Sequence, residues 1–588
     1  MTHAITLTSH LGSTLLFSNM TASESLGRLF SYRIEAVSKN AALDLRALLG
    51  TPMTVMLVSP QGYTRYFNGI VCEGQQHGVV DIDNVRYTVY TLGLVPKPWL
   101  STRRRDCRIY RGISVPQIVQ SVLDDVGYGD VKLSLSGSYP TRDYCVQYRE
   151  SDFDFISRLM EQEGIYYFFT HTNSTHTMVL ADAPGAHSAV TGFEQISYAP
   201  SALRVKHMKA SVSNWQAARS LNTAHMQLDE CRYEYAGSEQ RLSDRQRYAQ
   251  VRADALNVPL LASTGHTNAC GLASGALFKL KDFPAAEADE EYLVIESEIR
   301  LVEPYYVTGR GDTDEKPFRC TFKAIRSHRP FRTMPVTPRP VIANLQTAVI
   351  CGDTSEDMVV DKHGRVQVAF FWSRSAKPNA QNSCPVRVAQ MWAGKCWGTQ
   401  FTLRGGQEVI VSFLDGNPDW PLIIGSVNNA DNMPPYSLPD DKTQSGLNSR
   451  GREGGDSEDY NEIHFEDNKG DQQVLTHERA RDVHVAHSYT LTAGNQIRLV
   501  SGLASITMNS SGEIAIEGTH ITVNGDQNLA MTSGLAMEIN SKANLTISST
   551  AAMEILSEAD CLVQSTHLQL IGTAAAILGG AAPTILPL

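Results

Sequence analysis

The sequence predicts a mainly β protein with minor α content: a strand-rich N-terminal region, a small closed barrel, and a C-terminal β-helix in which three chains wind together. Three observations predict it. Short runs that alternate apolar and polar residues recur through much of the 588 residues. A tryptophan-rich block of short strands lies between 344 and 430. The last hundred or so residues repeat a pair of apolar residues about every eight positions.

Residues 1–340 read as β-barrel-type strands with two short helices. The run Tyr87-Thr-Val-Tyr-Thr-Leu92 alternates as a half-buried strand does. The first helix opens after Ser114, a good N-cap, with Pro116 in its first turn; Ile118, Val119, Val122 and Leu123 form one stripe, and Gly127 ends it. The second starts at Ser151, with Asp152 and Asp154 near the positive end of its dipole, buries Phe155, Ile156, Leu159 and Met160, and stops at Gly164. Capping explains Asp154 better than acid–base chemistry does, since no partner is evident. Pro330, Pro335, Pro338 and Pro340 then mark a stiff connector.

The block 344–430 holds four of the six tryptophans, Trp372, Trp392, Trp397 and Trp420. Runs at 365–370, 386–388, 408–413 and 422–424, separated by Gly and Asp turns, suggest about five short strands and hence a barrel of OB type. A polar, Gly-rich linker is expected over 431–475. Its Gly451-Arg-Glu-Gly-Gly455 lacks the ending and the preceding strand of a phosphate loop.

The needle is expected over 476–588. Its apolar pairs begin at Val483/Val485, Tyr489/Leu491 and Ile497/Leu499 and continue as Ile506/Met508, Ile514/Ile516, Ile521/Val523, Leu529/Met531, Met537/Ile539, Leu545/Ile547, Met553/Ile555, Cys561/Val563 and Leu568/Leu570. Successive pairs start 6, 8, 9, 8, 7, 8, 8, 8, 8, 8 and 7 residues apart. Side chains two apart share one face of a strand, and Asn524-Gly525 and Gly534 let the chain turn. A single chain has nothing to cover such short strands with, whereas three chains bring the pairs together on one axis. A single-chain solenoid is the alternative, but its coils are usually about 20 residues long because one chain must supply every face. The expected trimer core therefore comprises Ile506, Met508, Ile514, Ile516, Ile521, Val523, Leu529, Met531, Met537, Ile539, Leu545, Ile547, Met553, Ile555, Val563, Leu568 and Leu570.

From Ser501 onward the one basic residue is Lys542, against seven acidic ones, which gives the needle a negative outer face. The chain ends on Ala581-Ala-Pro-Thr-Ile-Leu-Pro-Leu588, an apolar tip expected to seat a separate capping protein through Pro583, Ile585, Leu586 and Leu588.

The remaining features exclude rather than assign. A net charge of −11 argues against nucleic-acid binding, and the short run Arg103-Arg-Arg105 runs straight into Asp106. No stretch has the apolar length of a membrane helix. The N-terminus Met1-Thr2-His3-Ala4 lacks the pattern of a signal peptide. The ten cysteines are scattered without a CxxC pair, as in chains folded under reducing conditions. His266 and Cys270 supply only half of a tetrahedral metal site, so no metal and no cofactor is expected. The sequence also shows no GxSxG, HExxH or Cys/His catalytic signature, and no enzyme activity is expected.

Several long motifs resemble a known family. Tyr148-Arg-Glu-Ser-Asp-Phe-Asp-Phe155 running on to Glu161-Gln-Glu-Gly-Ile-Tyr-Tyr167 is similar to a signature of VgrG spike proteins. So are Asp361-Lys-His-Gly-Arg-Val366, Arg387-Val-Ala-Gln390, Trp392-Ala-Gly394, Trp397-Gly398, Gly406-Gln-Glu-Val409, Phe413-Leu-Asp-Gly-Asn-Pro418 and Pro421-Leu-Ile-Ile-Gly425. The resemblance implies a phage-baseplate-hub-like region, an OB domain and a trimeric β-helix needle. It further implies a homotrimer standing on a hexameric tail tube, tipped by a PAAR-type cap, with effector or adaptor proteins attached. Such spikes assemble in the bacterial cytoplasm and leave without a signal peptide, touching a target membrane only in passing. A phage tail spike shares the same physics and stands as the alternative. Some relatives carry a lysozyme domain before the needle or a toxin after it; about 40 residues separate barrel and needle here, and the chain stops about 18 residues past its last apolar pair.

Overall fold

The computed structural model describes residues 4–200, 209–217, 239–284, 289–308, 317–352, 359–373, 383–450, 460–468, 473–477 and 481–569. Leu570 of the expected core, the tip residues Pro583, Ile585, Leu586 and Leu588, and Gly451–Gly455 lie outside them. The chain divides into two compact units, Met1–Ala480 and Arg481–Leu588.

A 13-stranded, largely antiparallel sheet makes most of the first unit. Its central strand Glu291–Val302 pairs on one side with Leu16–Ser25 and on the other with Phe318–Arg326. Beyond Phe318–Arg326 the sheet runs through Ser263–Thr267, Ser211–Ala217, Gln195–Tyr198 and Ala276–Lys281 and returns to Glu291–Val302, closing a six-stranded ring. Closure removes the free edges that short strands otherwise expose. The other half runs Leu16–Ser25, Ser31–Ser38, Val85–Val95, Thr64–Ile82, Pro52–Val58 and Ala4–Thr8. One apolar core spans both halves, with Met20, Tyr32, Phe67 and Tyr90 from one and Phe278, Phe318 and Phe322 from the other. The thiols of Cys270 and Cys320 belong to it, while His266 is exposed, so the two groups of the half-site do not converge.

Helix α1 (Val115–Asp125) has Ser114 as N-cap, whose backbone N–H donates to the Gln117 side chain at 2.9 Å. Helix α2 (Asp152–Glu163) has Ser151 as N-cap, its hydroxyl accepting from the Asp154 N–H, and ends at Gly164 in the left-handed conformation. Asp154 is exposed and lies in the first turn. The stripes of the two helices meet in a second core with Tyr128, Ile165 and Leu180.

The expectation of two helices is corrected by two short ones, Leu45–Leu48 and Pro304–Thr308, and by a long one, α3 (Glu239–Leu261). Its buried positions include Val251, Ala255 and Val258, a correctly spaced stripe of small residues diluted by arginine and glutamine. Small side chains give such a stripe little contrast, which is why the sequence reading passed over it.

The proline-rich connector is extended but not free. Phe331 packs edge-on against Tyr166 at 4.9 Å, the Arg332 Nη1 donates to the Asp182 carbonyl at 2.6 Å, and Thr337 donates to Glu161 through both its N–H (3.1 Å) and its hydroxyl (3.0 Å). Thr333 sits so close to Gly27 that a Cβ there would lie 2.2 Å from its hydroxyl. The connector is thus a strap laid along the strand region, and it enters the barrel where the Ile342 N–H donates to the Gly416 carbonyl at 2.8 Å.

The second block is a closed five-stranded barrel, ordered Gln346–Ile350, Val366–Phe370, Cys384–Val388, Pro421–Val427, Glu408–Phe413. Alternate residues point inward, so Val366, Val368, Phe370, Val409, Val411 and Phe413 fill it. Within the stretch expected as linker, Gln444–Arg450, Tyr460–Glu466 and Gln473–Thr476 form a three-stranded antiparallel sheet.

Candidate functional site

Two places determine what the chain can do: the joint between the strand region and the barrel, and the surface of the C-terminal unit.

The joint is built by the segment Tyr148–Phe155. Strand Cys145–Ser151 pairs with Arg105–Tyr110, with a register shift that leaves Arg149 bulged at φ 52°. The bulge turns Tyr148 toward the barrel. Its ring packs edge-on against Trp372 at 5.7 Å and its hydroxyl accepts from the Gln346 amide at 2.8 Å. Gln346 in turn accepts from the Trp372 indole N–H at 2.8 Å. Two residues earlier on the strand, the Val146 N–H donates to Asp419 of the barrel at 2.7 Å. Val146 and Tyr148 share one apolar cluster with the barrel interior.

Beneath the joint lies a lattice of buried charges. Asp152, fully buried, accepts from Arg108 Nη2 at 2.6 Å and Gln147 Nε2 at 2.7 Å, with Arg104 at 3.4 Å. Arg158 forks onto both oxygens of Glu150 at 2.8 and 2.7 Å and donates to the Val146 carbonyl at 2.7 Å. Burial pushes the Glu150 carboxyl up despite this pairing. Burial would also raise Glu163, but Arg142 and Arg247 together hold it below the usual range. Such paired charges fix geometry more than they add stability. Asp152, Glu150 and Glu163 are thus each engaged with arginines, while Asp419 is held by the Val146 N–H.

The C-terminal unit has the opposite character. Strands Gln496–Ser501, Ala504–Asn509 and Ile514–Glu517 form an antiparallel meander turning at Gly502 and Gly512, both with positive φ. Pairing here is within one chain, where the sequence suggested pairing between chains; the two glycine turns make tight hairpins possible. The register sets Leu499 opposite Ile506 and Ile506 opposite Ile516, and likewise Ile497 opposite Met508 and Met508 opposite Ile514. Three successive apolar pairs therefore lie on one face, because directly opposed residues point the same way.

From Ile521 to Leu568 the described chain pairs with no strand of its own and bends at positions 526, 534, 542, 550, 558 and 566, eight apart. A serine precedes each of the last five corners but one residue earlier than the reading of glycine and asparagine turns would look: Ser533, Ser541, Ser549, Ser557 and Ser565. The hydroxyls of Ser533, Ser541 and Ser557 donate to the carbonyls of Ala536, Asn544 and Asp560 at 2.5, 2.9 and 3.0 Å. This serine period was visible in the sequence and was missed beside the apolar one. Between corners the paired apolar side chains are uncovered, from 47% exposed at Met553 to 74% at Ile555, whereas in the meander Ile506 is 38% exposed and Met508 half-buried. Ile521, Val523, Leu529, Met531, Met537, Ile539, Leu545, Ile547, Met553, Val563 and Leu568 are all exposed in the same way. So continuous an apolar surface on one chain demands a cover.

A strand-built hub, an OB barrel locked to it, and a needle that cannot cover its own apolar ladder define a tail spike of the contractile-injection type. The comparisons with known proteins agree. Residues 23–231 and 222–305 match the family described as phage tail baseplate hub (GPD), residues 354–427 the type VI secretion system/phage-baseplate injector OB domain, and residues 445–563 the bacteriophage T4 gp5 C-terminal trimerisation domain. The trimerisation match thus includes part of the stretch read as linker. The chain is 36% identical over 594 residues to the type VI secretion system spike protein VgrG1a of Pseudomonas aeruginosa, covering 88% of this chain and 91% of that one. It is 41% identical over 498 residues to VgrG1c of the same organism, covering 80% and 68%. The fold of the Escherichia coli c3393 protein, a type VI secretion component, superposes with a TM-score of 0.54 at 22% identity, over 72% of this chain and 99% of that one. The chain belongs to the VgrG family of type VI secretion system spike proteins.

Proposed function

We propose that three copies of this chain form the spike at the tip of a type VI contractile machine, piercing a target membrane and carrying effectors on the spike or on a PAAR-type cap. The observation that carries the reading is the eight-residue ladder of uncovered apolar pairs, which only partner strands at the same height can cover repeatedly. Ile506, Met508, Ile514, Ile516 and the pairs up to Val563, Leu568 and Leu570 then line the trimer axis. The hub seats on the hexameric tail tube, and Pro583, Ile585, Leu586 and Leu588 seat the cap. The work is mechanical: the chain catalyses no reaction, holds no cofactor and binds no nucleic acid. It assembles in the bacterial cytoplasm and leaves with the machine rather than through a signal peptide. Membrane contact in this reading is made by the needle in passing; no described helix is long and apolar enough to cross a membrane.

The test is a competition assay in a bacterium whose own copy is replaced by Ile547→Asp or by a chain lacking Pro583–Leu588. Both variants should lose contact-dependent killing and the appearance of the chain in the medium, the first with loss of the trimer and the second without. Killing at the parental level by either variant would refute the corresponding half of the proposal.

A further inference from the structure

Helix α2, helix α3 and the proline strap meet around a cavity of about 300 Å³ in the first unit. Helix α2 lines it with Arg158, Glu161 and Gln162, helix α3 contributes Arg252, and the strap contributes Thr337 and Arg339. Three guanidinium groups from three separate elements therefore share one cavity with a single carboxylate.

That carboxylate is already engaged. Glu161 is buried and accepts from Arg28 Nη1 at 3.2 Å and from the Thr337 hydroxyl and N–H at 3.0 and 3.1 Å. The Gln162 side-chain oxygen accepts from Arg142 Nη2 at 3.0 Å, which leaves its amide nitrogen to donate. Arg158, also buried, directs Nε and Nη2 to Glu150 and the Val146 carbonyl and has Nη1 left over. Arg252 and Arg339, both half-buried, make no ion pair with any described residue. Arg158 is balanced by Glu150 and Glu161 by Arg28, so two positive charges of the lining remain without a counterion. The cavity thus has a surplus of charged donors, and an anion supplies both the missing acceptors and the missing charge.

We propose that this cavity binds a phosphate group, free or as the monoester of a small organic molecule, through Arg252, Arg339 and Nη1 of Arg158. Near neutral pH a phosphate carries close to two negative charges, matching the two uncompensated arginines, and its terminal oxygens offer acceptors to several guanidinium forks at once. A single carboxylate would balance only one of the two. The volume is at the lower end for small-molecule sites, which leaves room for an organic group beside the phosphate. Bound there, the phosphate ties the strap that enters the barrel to both helices, so occupancy stiffens the link between the strand region and the barrel. The site lies within one chain and is independent of the trimer.

Isothermal titration of the full-length protein at fixed ionic strength, with inorganic phosphate, glycerol phosphate and succinate as probes, tests the site. Inorganic phosphate should bind with a Kd of about 1 mM or tighter. Succinate, a dianion without the phosphoryl geometry, should bind at least about tenfold more weakly. Tighter binding of glycerol phosphate than of phosphate assigns an organic monoester as the ligand, and weaker binding assigns the free ion. The double variant Arg252→Gln, Arg339→Gln should lose about tenfold or more in affinity, since each charge-assisted contact is worth about that much. Arg319→Gln, at an exposed position of the large sheet, should lose nothing. In the parent, saturating phosphate should also slow amide exchange at Thr337 severalfold. Should the double variant not fold, Arg339→Gln alone and the exchange at Thr337 decide the matter. No binding of phosphate well above that concentration, equal affinity for succinate, or undiminished affinity in the arginine variants would overturn the proposal.

Discussion

Replacing Ile539 by aspartate tests the needle at its least ambiguous point. In one chain Ile539 is 60% exposed, so partner strands must cover most of it. Full burial of such a side chain stabilises by about 1.5–3 kcal/mol, and 60% of that is about 1–2 kcal/mol per copy. A ring of three then holds about 3–6 kcal/mol, or about two to four orders of magnitude in the association constant. Aspartate forfeits all of this and adds three carboxylates that a dry axis can accept only after protonation or wetting, a further cost per group. Residues 538 and 540 flank Ile539 and point to the opposite face of an extended segment. Asn540→Asp is therefore the matched control, adding the same charge on the outer side. Light scattering and urea titration of the purified full-length variants provide the assay. Ile539→Asp should dissociate at protein concentrations where the parent and Asn540→Asp stay trimeric. If Ile539→Asp instead resists urea like the parent, the inward register is wrong. If Asn540→Asp is the variant that dissociates, the register is displaced by one residue.

Asp152→Ala leaves Arg108 in the joint without its buried acceptor, and since Arg108 keeps Asp125 the loss should be near the low end for a broken buried pair, about 3 kcal/mol by urea unfolding of the hub. Burial lowers His171 to about 4 and His176 to about 3 from an ordinary 6.5, so both are neutral in the folded chain at pH 7. Their stabilisation is complete above about pH 6.5 and is lost as the pH falls toward 4, because the unfolded chain takes up protons first; at pH 5 the loss should be about 2 kcal/mol per histidine. Thermal melts between pH 7.5 and 4.5 should show this slope, and His176→Phe should flatten it even though it lowers stability at pH 7.5. A Cβ on Gly398, at φ 126°, would lie 2.2 Å from the Trp392 carbonyl, so Gly398→Ala should break the bond from the Thr399 N–H to that carbonyl and appear as faster amide exchange at Thr399, with hub amides unchanged.

Much of the fold was legible because its signals are local. Ser114 and Ser151 cap the two short helices, Gly164 ends the second, and the barrel strands follow alternation that neighbouring residues already display. The apolar period of the needle was legible for the same reason. What escaped the reading depends on partners far along the chain. Arg65, for example, reaches Glu24 at 2.9 Å and the carbonyls of Cys270 and Leu272 at 3.0 and 3.2 Å, across about 200 residues. The signature Tyr148–Phe155 could be matched to a family from sequence, but its purpose as a joint required Asp419, Gln346 and Trp372 to be seen beside it. The proline strap was read correctly as extended and incompletely as a connector, since its grip on Gly27, Asp182 and Glu161 leaves no local trace.

The regular corners give the C-terminal unit the properties of a ruler. Each eight-residue segment brings its own apolar pair, and a serine precedes each of the last five corners, so a unit can be copied or removed and its neighbours still meet in phase. The length of the spike can then change in fixed increments by duplication, without redesign of any single residue. A deletion of seven residues has no such freedom: it turns every side chain beyond it to the wrong face. Natural length variation in this region should therefore run in steps of eight.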